Sequence, residues 1–439
     1  MLFDISTTVD PSYIISLIRK LLPRSERNSN GFHVEDVREA SVQGSETEGM
    51  KGSIVSVSSA EFLNSPNSKT EAMDTLDDLD GLDRQTEIDE GFCHNPEHPG
   101  ESVGEEAWEE YGCILWDLAA SKTHAEFMVQ NLILEVLLAN LTISQSMRAT
   151  EINLGIIGNL ACHEVPRNHL VSMNGLIETI VGQLFLDDSS CLCEACRLLT
   201  LGLQGSGSIT WAEALQPEDI LRRIQWIAEN TLNVQLLERS IGLLLAIVEN
   251  QQEVASILLP PLMKLGLPSL LINLLACELN KLNGERMPDR YIVLDTILRA
   301  IEALCVVDDF SHVICSDKEL FRLVYDLVKL PDKVEVANSC VTSAVLIANL
   351  LTDVPDLASG ISQDLPFIQG LLDIFPFVSE ARCALWSIFA RVLVQFQEGE
   401  MSPSSLRQFV SILVEKSDLI EEDLLDHQLE DSNKDHKSF

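Results

Sequence analysis

The sequence predicts an all-α fold of the armadillo or HEAT type, an α-solenoid of about five to six helical repeats. Strongly apolar, helix-period segments recur at spacings of mostly about 40–46 residues, the range of HEAT and armadillo units. Each follows a shorter apolar helix after a Gly or Pro break. Aromatic residues make up only 5% of the chain, which suits solenoid cores filled by aliphatic side chains.

The first predicted element is an isolated amphipathic helix at 11–23, between two prolines. Its apolar side chains fall at i, i+3, i+4, i+7 and i+8, so they share one face: Ile14, Leu17, Ile18, Leu21 and Leu22. So short a helix is marginal alone in water. We predict that it docks on the chain's own body. In the alternative it binds a partner, and Leu17 and Leu21 are then protein-binding residues.

Two segments predict acidic disorder. Residues 24–104 lose helical periodicity and are rich in Ser, Gly, Asn and acids, as expected of a disordered linker. Within it, 71–92 alternates apolar and acidic residues, which is typical either of a segment that folds on binding or of a solvated spacer. Residues 416–439 form the second segment, an acidic tail.

The repeat domain is predicted over 105–415. Its strongly apolar helices lie near 151, 194, 238, 295, 342 and 380, and an amphipathic helix at 404–414 closes the array. The step from 238 to 295 is longer than the others, and we interpret the excess, 276–289, as a loop insertion between helices. Helices that are apolar nearly all round must be buried on several sides, which stacked repeats provide.

The chain is strongly acidic, with 30 Lys and Arg against 68 Asp and Glu and a net charge of −38. A nucleic-acid binder neutralises phosphates with clustered cations, so direct DNA or RNA binding is disfavoured. Anionic membrane surfaces are disfavoured for the same reason. The field of the chain would instead attract a basic partner.

Cysteines and local motifs predict neither a disulfide framework nor an enzyme. The chain has 11 cysteines, an odd number, and most lie in apolar helical pattern, which favours reduced thiols in the nucleus and cytoplasm. Cys191, Cys193 and Cys196 form a CxCxxC motif, but they begin a repeat helix and are interpreted as core. No Gly-rich phosphate loop, nucleophile elbow or HExxH motif is present. We expect no cofactor, no metal and no small-molecule substrate.

Two segments carry a family resemblance. EEYGCILWDLAASKTHAEFMVQ at 109–130 and RATEINLGIIGNLACHE at 148–164 resemble the serum amyloid A-like protein family, which has an armadillo-type fold. The matching features are the Trp116-Asp117 pair, Phe127 and the run from Gly155 to Cys162. The resemblance implies a nuclear or nucleocytoplasmic protein linked to cell proliferation, with no catalytic residues.

The candidate binding residues lie on the repeat helices. Asn159 and Asn349 stand on strongly apolar helices of the kind that lines the concave groove of armadillo arrays, where an exposed Asn can pair with a peptide backbone. The alternative is a hydrogen bond within the repeat itself. Trp116 and Phe127 are either core residues at the entry of the first repeat or a binding constellation.

These observations predict a non-enzymatic scaffold that binds other proteins, either basic ones or ones that present an amphipathic helix. The alternative is an acidic chaperone-like protein that captures basic proteins through its disordered acidic segments.

Overall fold

A computed structural model of the 439-residue chain describes residues 9–23, 102–250, 252–282, 288–307, 309–331, 333–377, 381–398, 402–422 and 424–425. The predicted all-helical, armadillo-type architecture is confirmed, because these residues form α-helices and two short 3₁₀ turns without any strand. Most of the predicted linker, including 71–92, lies outside the described residues, as does most of the predicted tail.

Six triads of helices follow an N-terminal pair. The pair consists of α1 (Pro11–Lys20) and α2 (Ser102–Ala119). The triads are α3 (Lys122–Gln130), α4 (Ile133–Ile143) and α5 (Met147–Ala161); α6 (Glu164–Ser172), α7 (Leu176–Gly182) and α8 (Ser189–Leu203); α9 (Ser208–Leu215), α10 (Glu218–Asn230) and α11 (Val234–Glu249); α12 (Gln252–Lys264), α13 (Leu267–Leu282) and α14 (Pro288–Cys305); α15 (Ser311–Cys315), α16 (Lys318–Val328) and α17 (Ala337–Asp353); and α18 (Leu357–Ile361), α19 (Leu365–Leu372) and α20 (Arg382–Glu398). A last helix, α21 (Pro403–Glu415), packs on α19.

Helix α2 and the third helices of the six triads form one continuous stack, which we call the third-helix row: α2, α5, α8, α11, α14, α17 and α20. Each helix of the row packs on the next along its length. The second helices follow in the same order from α4 to α19, with the 3₁₀ turn Gln183–Phe185 after α7 making the contact to α10. The row is the core of the array because its helices are apolar on several faces; α11 alone buries ten residues.

Sharp turns between the first and second helices use left-handed backbone. Gly175 before α7 has φ 79° and Gly266 before α13 has φ 88°. Leu132, at the same place in the first triad, has φ 65°, although an L side chain rarely adopts that region. The same left-handed turn therefore occurs in three triads, and in two of them it is made by glycine, which adopts this backbone conformation without strain.

Polar residues cap the third helices of the first three triads. The side chains of Ser146, Asp188 and Asn233 each accept a hydrogen bond from a backbone N–H in the first turn of α5, α8 and α11. Such caps satisfy donors that the helix itself leaves unpaired, each stabilising by about 1 kcal/mol. They set where each helix of the row begins.

The interpretation of 276–289 as a loop insertion is wrong for much of its length. Helix α13 continues to Leu282 and α14 starts at Pro288. The reason is Glu278, whose side chain is only 1% exposed and accepts hydrogen bonds from Arg290 at 3.0 and 2.8 Å and from Lys281 at 2.8 Å. A buried carboxylate needs such partners. The pairing holds the end of α13 against the start of α14.

The helical body extends past Glu415. Residues 417–422 and 424–425 are helical, beyond the predicted start of the tail at 416. Ile420 packs against the hydrophobic core, and Lys416 pairs with Asp373 at 2.7 Å. At the other end, α2 begins at Ser102, close to the predicted start of the repeat domain.

Among the described residues, no single helix is long and apolar enough to cross a membrane. By length and composition alone, two helix pairs bent by 76° and 74°, α3 with α4 and α12 with α13, pass the test for a broken span.

Helix α1 packs against α2 and α3 at the start of the array. Its apolar face is buried, with Ile14 at 1%, Leu17 at 0% and Leu21 at 0% exposure. Leu22, which the sequence placed on the same face, is 51% exposed, so the predicted apolar face is buried only as far as Leu21. Leu17 and Leu21 therefore contact the chain itself in this structure.

The end of α1 is held by polar contacts from two other helices. The Leu21 carbonyl accepts hydrogen bonds from Asn140 Nδ2 at 3.0 Å and from Trp108 Nε1 at 3.4 Å. Lys20 Nζ lies 4.0 Å from the centroid of the Tyr111 ring, in a cation–π contact. These groups satisfy a helix C-terminus that would otherwise be buried without partners.

We expect Leu17→Asp with Leu21→Asp to detach α1. Burial of each leucine contributes roughly 1.5–3 kcal/mol before entropy costs, and a buried carboxylate opposes docking further. The melting temperature should fall modestly, and residues 11–23 should become sensitive to protease and to amide hydrogen exchange. Leu22→Asp, at an exposed position next to the same helix, is the matched control. Rapid exchange of 11–23 in the unmutated protein would contradict the docking.

Candidate protein-binding surface

The partly exposed side chains of the third-helix row form a charged strip, which we call the row surface. In armadillo arrays this row lines the concave face. From α5 to α17 the row carries eight carboxylates and five arginines and no lysine. Acids therefore outnumber bases on these helices.

At the N-terminal end of the row, Trp116 lies directly on the backbone of α5. A Cβ atom at position 155 would stand 2.1 Å from Trp116 Cζ2, so only glycine leaves room for the indole. Trp116 is half-buried and packs against the core. Its indole therefore joins α2 to α5.

Arg197 crosses α5 from the other side. A Cβ atom at Gly158 would lie 2.4 Å from Arg197 Nη2, so this glycine too makes room for a side chain. The guanidinium donates to the Gly155 carbonyl at 3.2 Å and to Glu194 Oε2 at 2.6 and 2.9 Å. Only 18% of the Arg197 side chain is exposed.

Asn159 connects the two halves of this arrangement. Its Nδ2 donates to the Trp116 carbonyl at 2.9 Å, and its Oδ1 accepts from Arg197 Nη1 at 3.2 Å. We call these residues, with Glu194, Gly155 and Gly158, the N-terminal network. Because both ends of the Asn159 amide are used inside the chain, groove binding by Asn159 stays a prediction that would require breaking two hydrogen bonds.

Asn349 and Phe127 stand in different surroundings. Asn349 is half-buried on α17, and within the described ranges its amide has no hydrogen-bond partner. It is therefore available to a ligand, unlike Asn159. Phe127 lies on α3, half-buried against the core, and its carbonyl accepts from Asn131 Nδ2 at 2.7 Å. The structure does not bring Phe127, Asn159 and Asn349 together as one site.

An acidic cluster lies in the middle of the row, where α11 packs on α14. It consists of Glu249, Asp295 and Glu302 around a single Arg299. Arg299 Nη2 pairs with Glu249 Oε1 at 3.1 Å. Asp295, Arg299 and Glu302 share a face of α14 because they stand at i, i+4 and i+7. Three carboxylates thus compete for one guanidinium.

The pKa values of the two carboxylates on α14 reflect that competition. Burial raises the pKa of Asp295 above its ordinary value, and attraction by Arg299 only partly counters this. Burial likewise raises the pKa of Glu302, Arg299 lowers it, and the neighbouring Glu249 and Asp295 raise it further. A second cation at this point would lower the free energy of both ionised carboxylates.

The CxCxxC cysteines lie in the first turns of α8 and are buried. Burial raises the pKa of Cys191 to about 12, of Cys193 to about 11 and of Cys196 to about 12. The thiolate, which is the nucleophile and metal ligand, is therefore disfavoured at neutral pH. Cys191 Sγ donates to the Met147 carbonyl at 3.1 Å, which joins α8 to α5.

No family model matches the chain. Among curated proteins it is similar to "Protein saal1" of Danio rerio, with 26% identity over 228 residues, 50% of this chain and 48% of that protein. It is 30% identical to "Protein saal1" of Xenopus tropicalis over 143 residues, 32% of this chain and 30% of that protein. "Protein SAAL1" of Homo sapiens is 26% identical over 234 residues, 49% of this chain and 48% of that protein. The chain spans about half the length, or less, of the curated relatives it matches.

Solved structures of designed armadillo repeat proteins are similar in their helical repeats. One covers 57% of this chain and 95% of its own, with 13% identity and a TM-score of 0.43. Another, designed for modular peptide recognition, covers 56% and 95%, with 14% identity and a TM-score of 0.44. A third, in complex with the peptide (KR)4, covers 57% and 95%, with 13% identity and a TM-score of 0.45. At these TM-scores the likeness carries nothing about binding by this chain.

The family assignment made from 109–130 and 148–164 is wrong. The relatives are named SAAL1, serum amyloid A-like 1, a distinct family to which the serum amyloid A-like family is only loosely related. The structure gives these motif residues a local packing role. Trp116, Gly155 and Asn159 serve the packing of α2 on α5, a local requirement of this helical stack rather than a signature of function.

We expect Gly155→Ala to destabilise the chain by about 1–3 kcal/mol, because the added methyl group overlaps the Trp116 ring. Gly242→Ala, in the middle of α11 with no atom near its Cβ position, is the matched control and should be neutral or stabilising by up to about 1 kcal/mol. Urea unfolding of both variants measures the difference. Equal stability of the two would show that the indole does not lie on α5.

A pH dependence follows from the raised pKa values of Asp295 and Glu302. Both groups are neutral in the folded and unfolded chains at low pH, so they cost nothing there. As pH rises from their ordinary values of 3.8 and 4.5 through the folded pKa values, the ionised groups destabilise the fold. Asp295→Asn with Glu302→Gln should remove that loss, so the stability advantage of the variant over the unmutated chain should be larger at about pH 7 than at about pH 3.

Urea unfolding at both pH values gives this comparison. Glu178→Gln with Glu229→Gln, two exposed carboxylates outside the row surface, is the charge-matched control. It separates the effect of half-buried carboxylates from that of reduced net charge. A stability difference that stays constant with pH for the Asp295 and Glu302 variant would refute the crowding of carboxylates around Arg299.

Proposed function

We propose that the chain is a non-enzymatic protein-binding scaffold that presents the row surface to basic segments of its partners. Armadillo-like repeat folds are typical of protein-binding scaffolds. The acidic cluster is the observation that carries the proposal. Three carboxylates share Arg299, so a lysine or arginine side chain of a partner would complete a charge balance that the chain leaves unmet.

The distribution of hydrogen bonds along the row supports the same region. The N-terminal network uses Asn159 and Arg197 internally, so the α5–α8 part of the row surface has few polar groups to spare. Asn349, in contrast, has an unpaired amide among the described residues and follows the acidic cluster along the row. An extended peptide held by carboxylates at α11–α14 would meet this amide on α17.

The excess of acids also sets which partners are unsuitable. Phosphate groups of nucleic acids or anionic lipids would be repelled by the row surface, so we propose neither as a direct ligand. The proposed location, nucleus and cytoplasm, rests on cysteines that lie in apolar helical pattern, as reduced thiols do, and is tested by imaging a tagged chain in cells. The alternative acidic chaperone function would use segments that lie outside the described residues.

We expect Asp295→Asn with Glu302→Gln to weaken binding of a fluorescein-labelled octapeptide of alternating Lys and Arg roughly threefold to tenfold, as for two partly exposed ion pairs. The on-rate of the octapeptide on the unmutated chain should fall as salt rises from low to physiological concentration, because the Debye length shortens to about 8 Å. Asn349→Ala should weaken binding without changing the salt dependence, because the amide carries no charge. Fluorescence anisotropy and stopped-flow mixing measure both quantities.

Glu178→Gln with Glu229→Gln is again the charge-matched control. If this control weakens the octapeptide as much as the Asp295 and Glu302 variant, attraction comes from net charge alone and the row surface is not the site. If none of the variants changes affinity, the scaffold proposal loses its supporting observation.

A further inference from the structure

The C-terminal end of the array carries an apolar groove of about 560 Å³ between α19, α20, α21 and residues 417–422 and 424–425. We call it the terminal groove. Aromatic and aliphatic side chains line it, among them Trp386, Phe389, Leu393, Phe409, Leu424 and Leu425. It lies at the end of the array, whereas the acidic cluster lies in the middle of the row, and the two share no residue.

Several of the apolar side chains around the terminal groove remain exposed to solvent. Leu393 is 45% exposed, Leu424 46% and Leu425 52%. The outer face of a terminal repeat is normally polar, because no further repeat covers it. A concentration of exposed apolar side chains at that position marks an interaction surface.

The two ends of the array differ in how they are closed. At the N-terminal end, the amphipathic helix α1 covers the first helices and buries Leu17 and Leu21 completely. In the described part of the chain, no comparable helix covers the terminal groove. Helix α1 is thus an example of a short amphipathic helix that covers one end of this array.

The rim of the terminal groove is acidic. Glu421 lines it, and Glu415, Asp418 and Glu422 are exposed nearby along the same segment of the chain. The nearby lysine, Lys416, is already paired with Asp373 at 2.7 Å. An occupant with basic side chains beside its apolar face would therefore be attracted, and one with acidic side chains repelled.

Charge also decides between the possible occupants. A second copy would bring an acidic rim against an acidic rim, in a chain of net charge −38. Residues 426–439 of the same chain contain one Leu, one Phe and no apolar run, and so lack an apolar face to fill the groove. Neither a second copy nor residues 426–439 would therefore match both the apolar floor and the acidic rim of the terminal groove.

We propose that the terminal groove binds a basic amphipathic helix of a partner protein. Apolar side chains at i, i+3, i+4 and i+7 of that helix enter between Phe389 and Leu425, and its Lys or Arg side chains pair with Glu421 and Glu422. The inference rests on the proposed scaffold function but uses a different surface, so the two can fail separately.

The probe is a fluorescein-labelled peptide of 18 residues with Leu at i, i+3, i+4 and i+7 positions and Lys elsewhere. Leu393→Ser with Leu425→Ser in the full chain should weaken its binding at least about tenfold, equivalent to ~1.4 kcal/mol.

Glu421→Lys with Glu422→Lys tests the rim separately, because both side chains are exposed and the apolar floor is left intact. This charge reversal should weaken the Lys peptide and strengthen a peptide with Glu in place of Lys.

Three comparisons make the test decisive. Val165→Ser with Leu232→Ser, at exposed apolar positions elsewhere, should leave binding unchanged. A scrambled Leu and Lys peptide without an apolar face should bind weakly; equal binding would mean that charge alone attracts it and would overturn the proposal. If Asp295→Asn with Glu302→Gln abolishes binding while the groove variants do not, the peptide sits on the row surface, which overturns the terminal groove and leaves the scaffold function standing.

Sedimentation of the chain without peptide tests the remaining occupant. A dimer that is lost in the Leu393 and Leu425 variant would assign the terminal groove to a second copy and overturn the proposal. A monomer in both cases, together with the expected peptide affinities, supports it.

Discussion

The structure depends on the burial of the third helices, each of which is apolar on several faces at once. Helix α11 buries ten of its residues and needs α8, α10, α12 and α14 around it. A stack of such helices is stable only when every member has neighbours on both sides, so the two ends are the difficult positions. Helix α1 supplies such a cover at the N-terminal end, whereas the terminal groove leaves apolar side chains exposed at the other end.

The same constraint restricts where charge can lie. Since apolar packing uses most of each third helix, charged residues are confined to the strip that we call the row surface. Where the strip carries matched groups, as in the N-terminal network, Arg197 and Asn159 satisfy one another and tie three helices together. Where acids exceed arginines, as around Arg299, burial raises the pKa of the surplus carboxylates and the strip keeps an unmet negative charge.

Periodicity was enough to predict the solenoid, because helix-period apolar patterns report directly on burial. It also identified the buried face of α1, with Leu22 as the exception at the point where the helix ends. It could not show that each unit has three helices, because short first helices such as α15 contain barely one turn. Nor could it predict the buried Glu278, since the pairing with Arg290 depends on how α13 meets α14. The glycines at 155 and 158 did carry a signal, a close approach by other side chains, but not which side chains approach.

The N-terminal network has a consequence for where a scaffold of this design can bind. A repeat whose polar groups pair with one another is rigid and has little to offer a ligand, because binding would first have to break bonds such as those of Asn159. A repeat whose polar groups are surplus has the opposite property. Within the described residues, Asn349 has no partner and the acidic cluster has one guanidinium for three carboxylates. The first two triads are therefore suited to anchoring α1 and starting the stack, and the later triads are suited to the recognition that we propose.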